Sequence, residues 1–201
     1  MGRIISIIGA PEKLNDNHIL KKFDCGKSEL NTWLQRIALK EHRANSTITI
    51  VSCVNNKVIA YYSMSVGSID HQPEAPQKNI KRFQSSKSRG KKRLQPVKQR
   101  VKMSLEQHSI PVMIISRLAV DIKYQRRGIG KGLLQDAILR TLNASEHAGI
   151  KLILVHAKDK EASEFYQKFY FEPCPIAPFK LMLLLKNAQN ISTSIQSDTL
   201  D

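Results

Sequence analysis

The 201-residue chain contains little cysteine, few aromatic rings and no long apolar run. Its three cysteines are far apart and form no Cys-x-x-Cys pair, so neither a disulfide framework nor a zinc site is expected. The six histidines show no ligand spacing either, and no metal is expected. Because no stretch approaches 18 uncharged apolar residues, we predict a soluble protein without a membrane span, in a reducing, cytoplasmic compartment.

Acidic residues are also scarce: 17 Asp plus Glu stand against 32 Lys plus Arg, which leaves a net charge of +15. Eleven of the basic residues fall between Lys78 and Lys102, a stretch without any acid. We predict a basic loop within 71–110 and a polyanionic partner. A solvated loop without a specific partner is the alternative.

The 41% of hydrophobic residues suffices for one core, and the length predicts one domain. Asn55-Asn56 predicts a tight hairpin turn, and Asp159 is typical of a helix N-cap. The polar stretch 187–201 predicts a tail, which leaves 1–186 as the domain. Periodicity predicts helices over 27–43, 129–143 and 161–169, and strands over 47–54, 57–66, 112–120, 151–157 and 179–185.

A glycine turn is predicted between the strand that ends at Val120 and the helix that follows. The free N–H groups at a helix start bind phosphate, and glycines let a pyrophosphate approach the backbone. The spacing fits neither the P-loop nor the Rossmann fingerprint. A glycine pair that merely starts a helix is the alternative. The turn consists of Gln125, Arg126, Arg127, Gly128, Ile129 and Gly130.

Together with Arg117-Leu118-Ala119-Val120-Asp121, this turn closely resembles the (Gln/Arg)-x-x-Gly-x-(Gly/Ala) acetyl-coenzyme A signature of the GNAT N-acetyltransferases. The chain further resembles the GNAT toxins of bacterial type II toxin–antitoxin pairs, which acetylate aminoacyl-tRNA. The resemblance covers about residues 4–186 and implies an α/β (α+β) fold. Its mixed, mostly antiparallel sheet would be splayed at the acetyl-CoA cleft and flanked by helices. The further matching segments are 23–26, 61–62, 111–121, 155–157 and 162–166.

The resemblance implies roles for individual residues. The backbone of Leu118, Ala119 and Val120 would pair with the pantetheine arm of acetyl-CoA, and the glycine turn would hold the pyrophosphate. Tyr166 would be the general acid that protonates the departing thiolate. The α-amine of an aminoacyl ester titrates near or below about 7.7–8.0, so no carboxylate base is required.

The resemblance also implies the partners: aminoacyl-tRNA, a ribbon-helix-helix antitoxin, and a second copy of the chain in a homodimer. We expect tRNA contacts from Arg117 and from three residues of the basic loop, Lys91, Lys92 and Arg93. Binding through phosphates would depend steeply on salt.

Three residues raise separate questions. Tyr170 stands where the family usually has glycine, so Tyr170 must bear a left-handed backbone or the preceding helix must end differently. Ser116 stands where a glycine is common in the subfamily. His156 borders the expected cleft, and we interpret it as a strand histidine with a satisfied hydrogen bond. A functional role at the cleft is the alternative.

Two other functions remain open. A GNAT enzyme that acetylates a protein N-terminus, a lysine or a small amine would share the coenzyme site and Tyr166, but its activity would survive removal of the basic loop. A non-enzymatic nucleic-acid-binding protein would keep the fold as a scaffold. The residues that argue against it are the intact Gln125, Gly128, Gly130 and Tyr166. The function we expect is therefore acetylation of aminoacyl-tRNA, which would inhibit translation.

Overall fold

The computed structural model describes residues 8–69, 109–174 and 177–188. Most of the basic loop, with Lys91, Lys92 and Arg93, and the tail beyond Ala188 lie outside these residues. Within the described ranges no helix is long and apolar enough to cross a membrane. The helices are α1 (Ser28–Arg36), α2 (Ala38–Arg43), α3 (Ile129–Ser145) and α4 (Lys160–Gln167), and the strands are β1 (Glu12–Lys13), β2 (Ile48–Val54), β3 (Lys57–Ile69), β4 (Ile110–Val120), β5 (Leu152–His156), β6 (Glu172–Cys174) and β7 (Ala177–Leu184).

The seven strands form one sheet in the order β1-β2-β3-β4-β5-β7-β6. β4 and β5 are parallel, and the other described pairs are antiparallel, as predicted. β4 pairs with β5 from Val112↔Leu152 to Ile115↔Val155, and beyond these residues the strands diverge. The predicted splay of the sheet is therefore confirmed.

Helices cover both faces of the sheet. On one face, α3 and α4 pack on a core that contains Tyr62 and Ile115. On the other face, α1 and α2 pack through Trp33 and Ala38 onto a second cluster that contains Tyr61. Each fully buried large apolar side chain contributes roughly 1.5–3 kcal/mol through the hydrophobic effect. The splayed part of the sheet lies between these two layers.

Several predicted boundaries differ from the structure. The helix predicted over 27–43 is two helices, because Ile37 adopts φ −118° and changes the chain direction while its N–H still donates to Trp33. β1 and β6 were missed because they are two or three residues long and form through pairing with β2 and β7. β3 runs on to Ile69, and α3 to Ser145.

Backbone angles confirm the predicted hairpin turn and decide between the two alternatives left open for Tyr170. Asn55 and Asn56 have φ values of 49° and 61°, as a two-residue hairpin turn requires. Tyr170 has a φ of 64°, so it keeps the left-handed conformation of the glycine it replaces, at a cost of about 1–2 kcal/mol. The turn brings Phe171 under α4, where its ring centroid lies 5.6 Å from that of Tyr166.

Candidate active site

The opening between β4 and β5 forms a cavity of about 920 Å³, which is large enough for a cofactor-sized ligand. Its walls come from α1, the end of β4, the glycine turn, the residues after β5, and α4. Arg127, Gly128 and Ile129 belong to the same turn but do not line the cavity. The predicted site residues that line it are Arg117, Leu118, Ala119, Val120, Gln125, Arg126, Gly130 and Tyr166.

The last residues of β4 present one backbone edge to the cavity. Their other edge pairs with β3, where Leu118 lies opposite Tyr62 and Val120 opposite Ala60. On the cavity side β5 has moved away, so this edge can pair with a ligand that carries amides of its own. A pantetheine arm has two amide groups and fits this requirement.

A β-bulge at Ser116 shifts the alternation of β4 side chains by one residue and so determines which of them lie on each face of the sheet. Ser63 pairs with Arg117, whereas the next residue, Met64, pairs with Ile115, so Ser116 is the extra residue. The Ser116 and Ser63 hydroxyls are hydrogen-bonded at 2.9 Å. Because of the bulge, Arg117 faces α1.

The glycine turn ends in a helix N-terminus without a side-chain cap. Gly128 is the N-cap of α3 and has a φ of 79°, a conformation that favours glycine. A Cβ at Gly130 would make only ordinary contacts, with Val120 and Phe165 at 3.7 and 3.8 Å. The N–H groups of the first turn have no acceptor within the helix, and the exposed Arg126 belongs to the same turn, an arrangement that favours a bound anion.

The side chain of Gln125 holds the turn in place. Its Nε2 donates to the carbonyl oxygens of Val120, at 2.9 Å, and of Cys25, at 3.2 Å. The Asp121 carboxylate makes a parallel link by accepting the N–H of Asp24 at 3.1 Å and that of Lys123 at 3.0 Å. The turn, the end of β4 and the segment before α1 are therefore one hydrogen-bonded unit.

Tyr166 lies on α4 with its ring buried between Phe165 and Phe171, at centroid distances of 5.3 and 5.6 Å. Within the described residues its hydroxyl makes no hydrogen bond, and the residue lines the cavity. Burial raises the pKa of Tyr166, so the phenol is protonated at neutral pH. A protonated phenol on a residue that lines the cavity can act as a proton donor.

The α1 side of the cavity carries a cation over an aromatic stack. The Arg117 guanidinium lies 4.1 Å from the ring centroid of Trp33, which stacks on Tyr61 at 5.8 Å. The Trp33 Nε1 is buried without a hydrogen-bond partner within the described residues. Arg117, the described member of the four predicted tRNA contacts, therefore lies at the cavity, on the face opposite α3.

Two ion pairs connect α1 to the residues that follow β5. Lys27 bonds Asp159 at 3.0 Å, and Lys158 bonds Glu29. Asp159 also accepts the N–H of Ala162 at 2.9 Å, which confirms the predicted N-cap. The hydrogen bond from Ala162 and then Lys27 lower the pKa of Asp159. Because these pairs are exposed to solvent, they contribute little to the stability of the fold.

His156 also lines the cavity, and the interpretation of it as a hydrogen-bonded strand residue is wrong. The side chain is exposed and makes no hydrogen bond within the part of the chain that the structure describes. Partial burial, and then the charge of Lys180 on β7, lower the pKa of His156. The imidazole is therefore neutral at pH 7.

Comparisons with known proteins agree with this geometry. The model of the acetyltransferase (GNAT) domain matches residues 97–173. The structure of AtaT complexed with acetyl-methionyl-tRNAfMet has a TM-score of 0.73 at 21% identity and covers 92% of this chain and 99% of that one. That of AtaTR bound with AcCoA has a TM-score of 0.70 at 23% identity and covers 92% and 97%. These likenesses establish the fold.

A curated relative establishes the family. The chain is 34% identical over 180 residues to the tRNA-acetylating toxin of Mycobacterium tuberculosis, and the match covers 90% of this chain and 94% of the relative. This chain also has the splayed sheet and the glycine turn that the resemblance to the GNAT enzymes led us to expect. The chain therefore belongs to the GNAT acetyltransferases, within the family of the tRNA-acetylating toxins.

Proposed function

We propose that this protein transfers the acetyl group of acetyl-CoA to the α-amine of aminoacyl-tRNA and thereby inhibits translation as the toxin of a toxin–antitoxin pair. One observation carries the proposal: a single cavity combines the open edge of β4, the uncapped turn and the hydroxyl-bearing Tyr166. The 34% identity to a tRNA-acetylating toxin supports the choice of acceptor.

The coenzyme would lie between β4 and β5. The backbone of Leu118, Ala119 and Val120 would pair with the pantetheine arm, since β5 does not pair with this part of β4, although the Val120 carbonyl already accepts a hydrogen bond from Gln125. The pyrophosphate would bind at the start of α3, where N–H groups and the helix dipole favour negative charge. The residues assigned to that end are Gln125, Arg126, Arg127, Gly128, Ile129 and Gly130, with Gln125 positioning the turn.

Tyr166 would donate its proton to the sulfur that leaves when the amide forms. The buried ring fixes the direction of the hydroxyl, and the absence of an internal hydrogen bond within the described residues leaves the proton available. Acetyl-CoA supplies the activated acetyl group, and the protein supplies positioning and the proton.

The tRNA would approach from the α1 side, where Arg117 meets the cavity. Lys91, Lys92 and Arg93 of the basic loop would contact its phosphates, because the stretch 78–102 carries eleven cations and no acid. An acetyltransferase for a small amine would have no need of this charge.

We further propose a ribbon-helix-helix antitoxin, a homodimer, a cytoplasmic location, and a single domain over 1–186 with a polar tail. A structure of an AtaT mutant toxin bound to the C-terminus of its antitoxin AtaR supports the antitoxin, since it has a TM-score of 0.70 to this chain. Copurification of the product of the adjoining reading frame tests this partner.

Translation in a cell-free extract tests the proposed function. We expect the protein to stop synthesis when acetyl-CoA is present and to have no effect when a desalted extract lacks it. A non-enzymatic nucleic-acid binder would inhibit in both extracts, and an enzyme for a small amine would inhibit in neither. Tyr166→Phe serves as the inactive control with the same charge.

A further inference from the structure

We propose that His156 accepts the proton that the acceptor amine loses during acetyl transfer. This inference rests on the proposed transfer to an amine and adds a catalytic residue to it. Three observations support it: the position of His156 in the splay, the face of the sheet on which its side chain lies, and its lack of a partner within the described residues.

The first observation is the register of β5. Ile115↔Val155 is the last pair between β4 and β5, so His156 is the first residue beyond the point where the strands separate. Across the opening it faces the bulge at Ser116. A pantetheine arm that enters along β4 brings its thioester to this narrow end of the cavity.

The second observation is the alternation of side chains along β5. Ile153 and Val155 pack into the core on the α3 face, which also holds Tyr166. Leu152 and Leu154 pack in a separate cluster, and His156 follows the same alternation on that opposite face. A proton donor and a proton acceptor therefore flank the opening from opposite faces of the sheet.

The two faces correspond to the two substrates. The phosphate-binding turn leads into α3, so the coenzyme enters on the α3 face, where Tyr166 lies. The acceptor approaches from the face of Arg117 and α1, and its amine meets His156 there. Each proton-transfer group thus lies on the side where its proton is given or taken.

The charged surroundings keep the imidazole ready to accept a proton. Partial burial and Lys180, its neighbour in the register of β7, lower the pKa of His156 and favour the neutral form. Of the carboxylates that could oppose this effect, Glu29 and Asp159 are bound by lysines, and Glu161 on α4 has no ion pair within the described residues. The charged groups that line the cavity are Arg117, Arg126, Lys27, Glu29, Lys158, Asp159 and Glu161.

The proton balance closes without a further reactant. The neutral amine forms a bond to the acetyl carbon, which makes the nitrogen cationic and strongly acidic, and His156 takes one proton from it. The carbon–sulfur bond then breaks, and Tyr166 gives its proton to the sulfur. His156 releases its proton to solvent, and Tyr166 regains one from solvent. Each amide formed from the neutral amine thus yields one thiol and no net proton.

The pH dependence of single-turnover transfer to charged tRNA tests the proposal. The amine must be neutral in both proteins, so an amine pKa of about 7.8 by itself lowers either rate constant roughly 15- to 20-fold from pH 8.5 to 6.5. In the unaltered protein the protonation of His156 adds a further fall below pH 6.5, and this further fall should be absent in His156→Gln. At pH 8.5, where both groups are neutral, His156→Gln should lower the rate constant roughly 10²- to 10⁴-fold.

Controls separate this role from a structural one. His147→Gln, at an exposed histidine outside the cavity, should keep the profile of the unaltered protein. His156→Asn provides a second variant, and acetyl-CoA affinity and circular dichroism report on the fold of each. A His156→Gln profile that keeps this further fall, or no loss of rate at pH 8.5, overturns the proposal. Failure of the unaltered protein to acetylate charged tRNA at pH 8.5 instead contradicts the proposed function.

Discussion

Replacement of Tyr166 by phenylalanine removes one oxygen atom and leaves the packing of α4 intact. The ring keeps its contacts with Phe165 and Phe171, and no hydrogen-bond partner within the described residues is left unsatisfied. We therefore expect the free energy of unfolding to change by less than about 0.5 kcal/mol. Any loss of activity then reports on chemistry.

The expected loss is that of a general acid, roughly 10²- to 10⁴-fold in the rate of transfer. This corresponds to about 3–5 kcal/mol of transition-state stabilisation at 1.36 kcal/mol for each factor of ten. Acetyl-CoA affinity should be unchanged, since the proposed coenzyme contacts come from β4 and the glycine turn.

Rapid-quench measurement of acetyl transfer, with acetyl-CoA binding by calorimetry, gives both quantities. Tyr170→Phe is the matched control, because Tyr170 is exposed and does not line the cavity. Because its pKa is raised, Tyr166 remains protonated as the pH passes its ordinary value of about 10, so the unaltered protein should lose no activity through Tyr166 between pH 8 and about 10. Full activity of Tyr166→Phe would refute its role as the acid.

Three further variants test the structural account. The added Cβ of Gly128→Ala meets no atom within 4 Å, so this variant should fold. Because of the positive φ, its free energy of unfolding in urea should fall by about 1–2 kcal/mol. It should also bind acetyl-CoA more weakly in calorimetry. Unchanged affinity would argue against an anion site at the turn. Tyr62→Phe breaks a 2.6 Å hydrogen bond to Asp136 and should lose about 1–3 kcal/mol of stability with normal transfer rates. A melting temperature equal to that of the unaltered protein would contradict this. Tyr170→Gly should raise the free energy of unfolding in urea by up to about 1 kcal/mol, and a decrease would show that the Tyr170 backbone is not strained.

Much of the fold follows from local sequence signals. The Asn55-Asn56 turn, the Asp159 cap and the strand–glycine turn–helix unit each depend on residues adjacent in sequence, and the structure has all three. At Tyr170 the missing glycine left two alternatives open, and the structure shows the left-handed one. Such signals work because short-range sterics and capping dominate at turns and helix ends.

The parts that the sequence did not predict depend on register between distant segments. The bulge at Ser116 exists only relative to β3, and it decides that Arg117 faces α1. The exposed position of His156 depends on where β4 and β5 separate. Gln125 bonds Cys25, which is 100 residues away, so its positioning role has no local signal. These features are set by pairing between distant segments, which the hydrophobic periodicity of a single segment does not reveal.

The most direct measurement uses isotopically labelled acetyl-CoA with a pool of charged tRNA and, in parallel, the same pool after deacylation. Nuclease digestion and mass spectrometry then identify the released aminoacyl-adenosines. The account predicts an acetyl group on the α-nitrogen of the amino acid, in the charged pool alone. Label on deacylated tRNA, or no label on either pool while acetyl-CoA still binds, would contradict it.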